Sequence, residues 1–178
     1  SSSSPFATIG HAVEVARGTE EKPVIIHIAG GTYLENVSLD PWEILEGGWN
    51  SDFTRRWDSD EGLAASEGFE TVIDGGNRGR CITAENADGS SIDGITVRNG
   101  TPPSAGSAGG GIAVISCSPV ITNCRIVSNS TIASASSLGG GMYIESGSPR
   151  IMHCTFSGNT SSGSENNYGG ALYIHQSY

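Results

Sequence analysis

One glycine-rich hexapeptide recurs in this chain at a fixed interval of thirty residues. Gly109-Gly110-Gly111-Ile112-Ala113-Val114 returns as Gly139-Gly140-Gly141-Met142-Tyr143-Ile144 and again as Gly169-Gly170-Ala171-Leu172-Tyr173-Ile174. The same interval relates Pro119 to Pro149, Cys124 to Cys154 and Asn129 to Asn159, and a blurrier copy, Ile92 through Gly100, aligns with Ile121 through Asn129 at an offset of 29. A period of this length marks a solenoid, in which each repeat is one supersecondary unit. Within a unit the apolar residues alternate. Ile112 and Val114 face one way and Ala113 and Ile115 the other, Cys124 shares a face with Ile126, and Cys154 with Phe156. Period two means strands. Gly, Asn and Pro punctuate the runs, so each unit should hold three short strands and three turns. Such a unit cannot bury its own apolar face, but copies stacked about 4.8 Å apart can.

The chain of 178 residues suits a single domain, 1–178, with one continuous core. Its start reads as a lid on the stack. Ser4 is a candidate N-cap with Pro5 at the first helical position, and Phe6, Ile9, Val13 and Ala16 recur at helical spacing until Gly18, predicting a capping helix over 4–18. Val24–Ile28 is the first expected buried strand, followed by Asn36–Leu39, Glu43–Leu45 and Thr71–Ile73. Residues 47–70 read as an inserted acidic loop, with Trp49, Phe53 and Trp57 tethering it to the coil flank. The regular repeats occupy 79–178, where the long segments 129–140 and 159–170 are expected to be loops.

Charge narrows the function classes. The formal net charge is −10, of which residues 1–78 carry −9, so the cationic footprint that a nucleic acid requires is missing. No run approaches the roughly 18–20 apolar residues of a membrane-spanning helix, and residues 4–18 read as a capping helix, so no signal peptide is expected within them. Cys81, Cys117, Cys124 and Cys154 form no C-x-x-C pair, which disfavours a zinc ribbon or a thioredoxin-type site. Gly is 26 of 178 residues, Ser is abundant and Lys is nearly absent, the texture of a repetitive secreted scaffold.

Phe6-Ala-Thr-Ile-Gly-His-Ala-Val13 followed by Ile28-Ala-Gly-Gly-Thr-Tyr-Leu-Glu35 resembles the entry of pectin-lyase-like right-handed parallel β-helix proteins: a capping helix, then a strand ending in Gly-Thr-Tyr. Gly47-Gly48-Trp49 and Val72-Ile73-Asp74-Gly75 are similar to segments of large bacterial surface proteins of that group. Gly169-Gly170-Ala171-Leu172 and Phe156-Ser-Gly-Asn159 resemble the repeats of polymorphic outer-membrane adhesins. The resemblance implies an all-β, right-handed parallel β-helix with an N-terminal α-helical cap, extracellular or at a bacterial cell surface. Enzymatic members of the group are polysaccharide lyases, hydrolases and epimerases, but the clustered Asp pair and Gly-His-Gly element of the hydrolases are missing here, as is a basic pair at lyase spacing. The family name therefore brings no activity with it.

In carbohydrate-active relatives, ligands lie along one strand of each coil and its neighbouring loops. On that strand, alternation points Thr83 and Glu85, Ala113 and Ile115, Tyr143 and Glu145, and Tyr173 and His175 outward. Tyr143 with Tyr173 would offer an aromatic surface to sugar rings, and Glu85, Glu145 and His175 would add polar groups; the competing reading is that the two tyrosines only stabilise the sheet as same-face neighbours. Cys124 and Cys154 fall at equivalent inward positions, as a ladder of two buried thiols or, alternatively, a disulfide. Cys81 and Cys117 are out of register and are expected to be reduced. Asn129 and Asn159 read as a turn ladder that tolerates left-handed backbone, and Gly94, Asn123 and His153 as the short turn between strands. Asn129-Ser-Thr131 and Asn159-Thr-Ser161 also match glycosylation sequons. No cofactor is expected; calcium at Asp58, Asp60 and Glu61 is the alternative, though that fragment lacks the other ligands of a calcium loop.

Three readings of function follow. The first is a surface or secreted scaffold for adhesion, glycan contact or assembly, with polysaccharide or cell-surface glycan as partner. The second is a polysaccharide lyase or hydrolase whose catalytic coils lie outside this segment. The third is a solenoid that polymerises end to end. The last strand stops in mid-coil, so a continuing chain or another subunit is expected on the open C-terminal coil.

Overall fold

The computed structural model describes residues 5–57, 68–102, 108–134 and 136–176. After one short helix, α1 (Ile9–Val15), the chain winds through five coils. The first holds β1 (Val24–Ala29), β2 (Gly31–Leu34) and β3 (Val37–Leu39), and the second β4 (Glu43–Trp49), β5 (Thr71–Asp74) and β6 (Ile82–Glu85). The third holds β7 (Ser91–Asp93), β8 (Ile95–Arg98) and β9 (Ile112–Ile115). The fourth adds two strands in its long turn: β10 (Val120–Thr122), β11 (Arg125–Val127), β12 (Ser130–Ala133), β13 (Ser137–Leu138) and β14 (Met142–Glu145). The fifth repeats that pattern with β15 (Arg150–Met152), β16 (Thr155–Ser157), β17 (Thr160–Gly163), β18 (Asn167–Tyr168) and β19 (Leu172–His175). Each strand pairs in parallel with its counterpart one coil away. The result is three five-stranded sheets, β1-β4-β7-β10-β15, β2-β5-β8-β11-β16 and β3-β6-β9-β14-β19, and two short ladders, β12-β17 and β13-β18. This is a parallel β-helix.

The registers line up like residues along the axis. Inside the first sheet run Ile26, Leu45, Ile92, Ile121 and Ile151; inside the second, Tyr33, Ile73, Val97, Ile126 and Phe156; inside the third, Val37, Ile82, Ile112, Met142 and Leu172. The central members are sealed from water, with Ile92, Ile112, Ile121 and Ile126 at 0% exposure. Each such burial contributes roughly 1.5–3 kcal/mol.

Where the structure departs from the sequence reading, local hydrogen bonding or packing explains it. Ser4 lies outside the described residues, and the helix begins later than expected because Thr8 is the N-cap, its hydroxyl accepting from the His11 amide at 3.3 Å. The Glu35 carboxylate accepts from the next two amides, Ile9 at 3.1 Å and Gly10 at 2.8 Å, so the first-turn donors are satisfied without help from upstream. Phe6 sits outside the helix, exposed, while Ile9, Ala12 and Val13 pack onto the first coil. In the first strand only Ile26 and Ile28 are buried; Ile25 and His27 face outward. Strand β4 continues through Gly47-Gly48-Trp49, so the insertion begins after Trp49 rather than at residue 47. The long turns, expected as loops, contain β12 and β13 and their partners β17 and β18. Two loops of equal length one coil apart can hydrogen-bond in register, Ser130 with Thr160 through Ala133 with Gly163.

The axial ladders make a direct prediction. Ile121→Ala, in the middle of a sealed column, should lower unfolding free energy by about 2–5 kcal/mol, whereas Ile25→Ala should change it by less than about 0.5 kcal/mol. Chemical denaturation of both variants checks this; equal effects would contradict the assignment of inner and outer faces.

Candidate functional site

The candidate face is the outer side of the third sheet. Two outward rows run along it: Thr83, Ala113, Tyr143 and Tyr173, and beside them Glu85, Ile115, Glu145 and His175. Tyr143 and Tyr173 are stacked, with ring centroids 6.0 Å apart and planes 7° from parallel. They are not equally accessible. Tyr143 is only 9% exposed, while Tyr173 is half-buried and meets exposed Tyr168 at 5.8 Å. Tyr143 is thus a packed residue. Burial first, then the Glu145 charge, pushes its pKa up to about 12. The accessible groups toward the last coil are Tyr168, Tyr173 and His175, with Glu145 half-buried beside them. Glu85 is exposed two coils away from Glu145, with half-buried Ile115 between them.

The triple glycine shapes this face. Gly109, Gly139 and Gly169 adopt φ of +71°, +60° and +59°, the left-handed conformation that an L side chain strains to reach. Gly140, a second glycine, lies tight against the next coil: a Cβ there would fall 2.0 Å from the Thr160 carbonyl oxygen. Arg80 fastens the first of these turns. Its guanidinium donates to the carbonyls of Gly109 at 2.8 Å and Ala108 at 2.7 Å and to the Thr83 hydroxyl at 3.2 Å. Neither Arg80 nor Tyr168 was singled out from the sequence. The recurrence of Tyr five residues after Leu138 and Tyr168 gave no hint of which aromatic would cover which.

The turn ladder is side chain to side chain. Asn129 Nδ2 donates to Asn159 Oδ1 at 3.0 Å, and Asn129 Oδ1 accepts from the Gly100 amide at 2.9 Å. The left-handed backbone expected at these asparagines lies one residue earlier, at Ser128 (φ +55°) and Gly158 (φ +64°), which frees each amide side chain to turn inward. Asn129 is fully buried, so its sequon offers no acceptor on the folded chain. Gly94, Asn123 and His153 all have positive φ in the turn between the first two sheets. All four cysteines are free thiols.

A second polar cluster, on the outer side of the first sheet, was missed because its members are far apart in sequence. His27, Glu46, Asp93 and Thr122 form one row across four coils. Arg56, from the insertion, spans it: Nη2 donates to Asp93 at 2.6 Å and Nε to the Gly47 carbonyl at 2.9 Å. His27 stacks on Trp49 at 4.2 Å and lies 3.3 Å from Glu46. Trp49, Phe53 and Trp57 are all half-buried. Burial pushes the Asp93 carboxyl up, but hydrogen bonds from Arg56, Thr122 and Asn123 outweigh it and hold it below the usual range. Asp58, Asp60 and Glu61, the calcium alternative, lie outside the described residues. Among the described residues no cluster of three or more His, Cys, Asp or Glu is arranged to hold a metal, and no helix is long and apolar enough to cross a membrane.

Two expectations follow. Gly140→Ala should destabilise the chain by several kcal/mol, more than the ~1–2 kcal/mol of left-handed strain expected for Gly68→Ala, where φ is +80° and an added Cβ meets open space, measurable by denaturant titration. Because Asp93 has a folded pKa below its unfolded value near 3.9, its contribution is complete above that value and is lost as pH falls through the folded one. The Asp93-dependent part of the unfolding free energy, measured by chemical denaturation, should therefore hold steady from pH 7 to about pH 4 and shrink below it. In Asp93→Asn the change tied to this carboxyl should vanish; an unaltered acid transition would refute the clamp.

The model of the right-handed beta helix region matches residues 50–178, more than half of the chain. Neither a curated protein nor a solved structure matches. Stacked parallel coils, axial ladders and this match agree: the chain belongs to the right-handed β-helix family.

Proposed function

We propose that this β-helix is an extracellular or cell-surface scaffold that contacts glycan through the outer face of its third sheet, at the corner formed by Tyr168, Tyr173, Glu145 and His175. The observation that carries the reading is the accessible pair Tyr168–Tyr173, 5.8 Å apart, with a carboxylate and an imidazole in register beside it. Aromatic faces pack on the apolar side of a sugar ring, and fixed polar groups meet its hydroxyls. Tyr143 has a supporting part: buried one coil back, it backs the ring of Tyr173. Glu85 extends the polar row toward the N-terminal coils. The low content of Lys and the many small polar residues suit an exposed, repetitive scaffold. In the same reading a further coil, from this chain or another subunit, seats on the fifth. There Ile151, Phe156 and Leu172 are only partly buried, whereas Ile121, Ile126 and Met142 at the same positions one coil earlier are sealed.

A glycan array probed with the wild-type chain should show binding, and Tyr168→Ala/Tyr173→Ala should weaken it at least tenfold with little change in melting temperature. A blank array would overturn glycan contact altogether. Full binding by the double variant would move the contact off this corner.

A further inference from the structure

Cys124 and Cys154 occupy the same turn in successive coils. The residues on either side of them pair in register, Thr122 with Met152 and Arg125 with Thr155, and the Thr155 amide donates to the Cys124 carbonyl at 2.9 Å. Neighbouring strands at about 4.8 Å put their α-carbons within the roughly 4.4–6.8 Å that a disulfide spans. The two side chains point the same way: Cys124 Sγ lies 3.0 Å from the Thr122 carbonyl and Cys154 Sγ 3.3 Å from that of Met152. Each thiol also donates across the coil boundary, Cys124 Sγ to the Ile92 carbonyl at 3.7 Å and Cys154 Sγ to the Ile121 carbonyl at 3.6 Å. They differ in access, since Cys124 is 1% exposed and Cys154 is half-buried.

We propose that Cys124 and Cys154 form an inter-coil thiol–disulfide switch, with Cys154 as the attacking thiol and Cys124 as the resolving one. The oxidant is a small-molecule disulfide. The Cys154 thiolate attacks one of its sulfurs, forming a mixed disulfide and releasing one small thiolate. Cys124 gives its proton to solvent and attacks the Cys154 sulfur, displacing the second small thiolate. Two protein thiols are oxidised, one small disulfide is reduced to two thiols, and the protons released end on those thiols. The electrostatics divide the roles in the same sense. Interaction with Cys124 lowers the Cys154 thiol to about 7, whereas the same interaction, together with burial, raises Cys124.

The other two cysteines are built to stay reduced. Cys81 is sealed, its thiol donating to the Arg98 carbonyl at 3.1 Å and pushed up to about 12 by burial. Cys117 donates to the Ala84 carbonyl at 3.3 Å. The residues at their positions one coil on are Gly111 and Gly147, which carry no sulfur.

The test incubates the chain with oxidised glutathione, quenches with a maleimide under denaturing conditions, and maps the peptides by mass. The wild type should show a Cys124–Cys154 cross-linked peptide, no retained glutathione, and alkylated Cys81 and Cys117. Cys124→Ser should retain one glutathione on Cys154, and Cys154→Ser should react at neither position. Alkylation of all four wild-type cysteines would overturn the proposal, as would stable glutathione on wild-type Cys154 with Cys124 still alkylated. The wild-type result alone decides if a serine variant fails to fold.

Discussion

Every feature of this protein depends on coil lying on coil in register. A single coil is three short strands around an apolar lining with no second layer to cover it, and its backbone groups point along the axis, where only another coil can pair with them. Stacking meets both needs at once. The same contact that closes the hydrogen-bond ladders also sets Ile92 over Leu45 and Ile121 over Ile92, so apolar burial and backbone pairing rise together with each added coil. The first coil is the weak point of such a scheme, and α1 is seated there, its buried Ile9, Ala12 and Val13 on the apolar lining and its amides on Glu35.

In-register stacking has a second consequence, for chemistry. It multiplies each outward or inward residue into a row, so side chains that do little alone acquire a fixed neighbour of the same kind. Two tyrosines become a nearly parallel stacked pair, two asparagines a hydrogen-bonded ladder, and two cysteines a thiol pair with one accessible and one sealed member. Whether a row is a surface or a brace depends on what lies over it. The packing around Tyr143 leaves it almost no exposure, while Tyr173 beside Tyr168 stays half-open. The outer side of the first sheet shows the other outcome, where Arg56 lies across Glu46 and Asp93 and turns the row into an anchor for the insertion.

Much of the architecture was legible before any coordinates. The interval between Cys124 and Cys154 already implied that they meet, and alternation in Ile112–Ile115 and Met142–Glu145 assigned inner and outer faces that the registers reproduce. The boundaries were harder. The helix start was misplaced because a Ser-Pro pair is a good local signal, and nothing local reveals that the amides of Ile9 and Gly10 are capped by Glu35, 26 and 25 residues downstream of them. Strands β12 and β13 were invisible because Ser130–Ala133 and Ser137–Leu138 carry little apolar alternation; they are strands only because equivalent segments lie alongside them.

The sequence by itself determined the period, the parallel stacking and the pairing of like with like, because a repeat of constant length leaves each copy no other way to bury its lining. Tertiary structure alone decided which outward groups remain reachable. Exposure of Tyr143, the grip of Arg80 on the glycine turn and the reach of Arg56 to Asp93 depend on how turns fold back over the sheets, and that is set by contacts between residues about a coil's length apart in the chain.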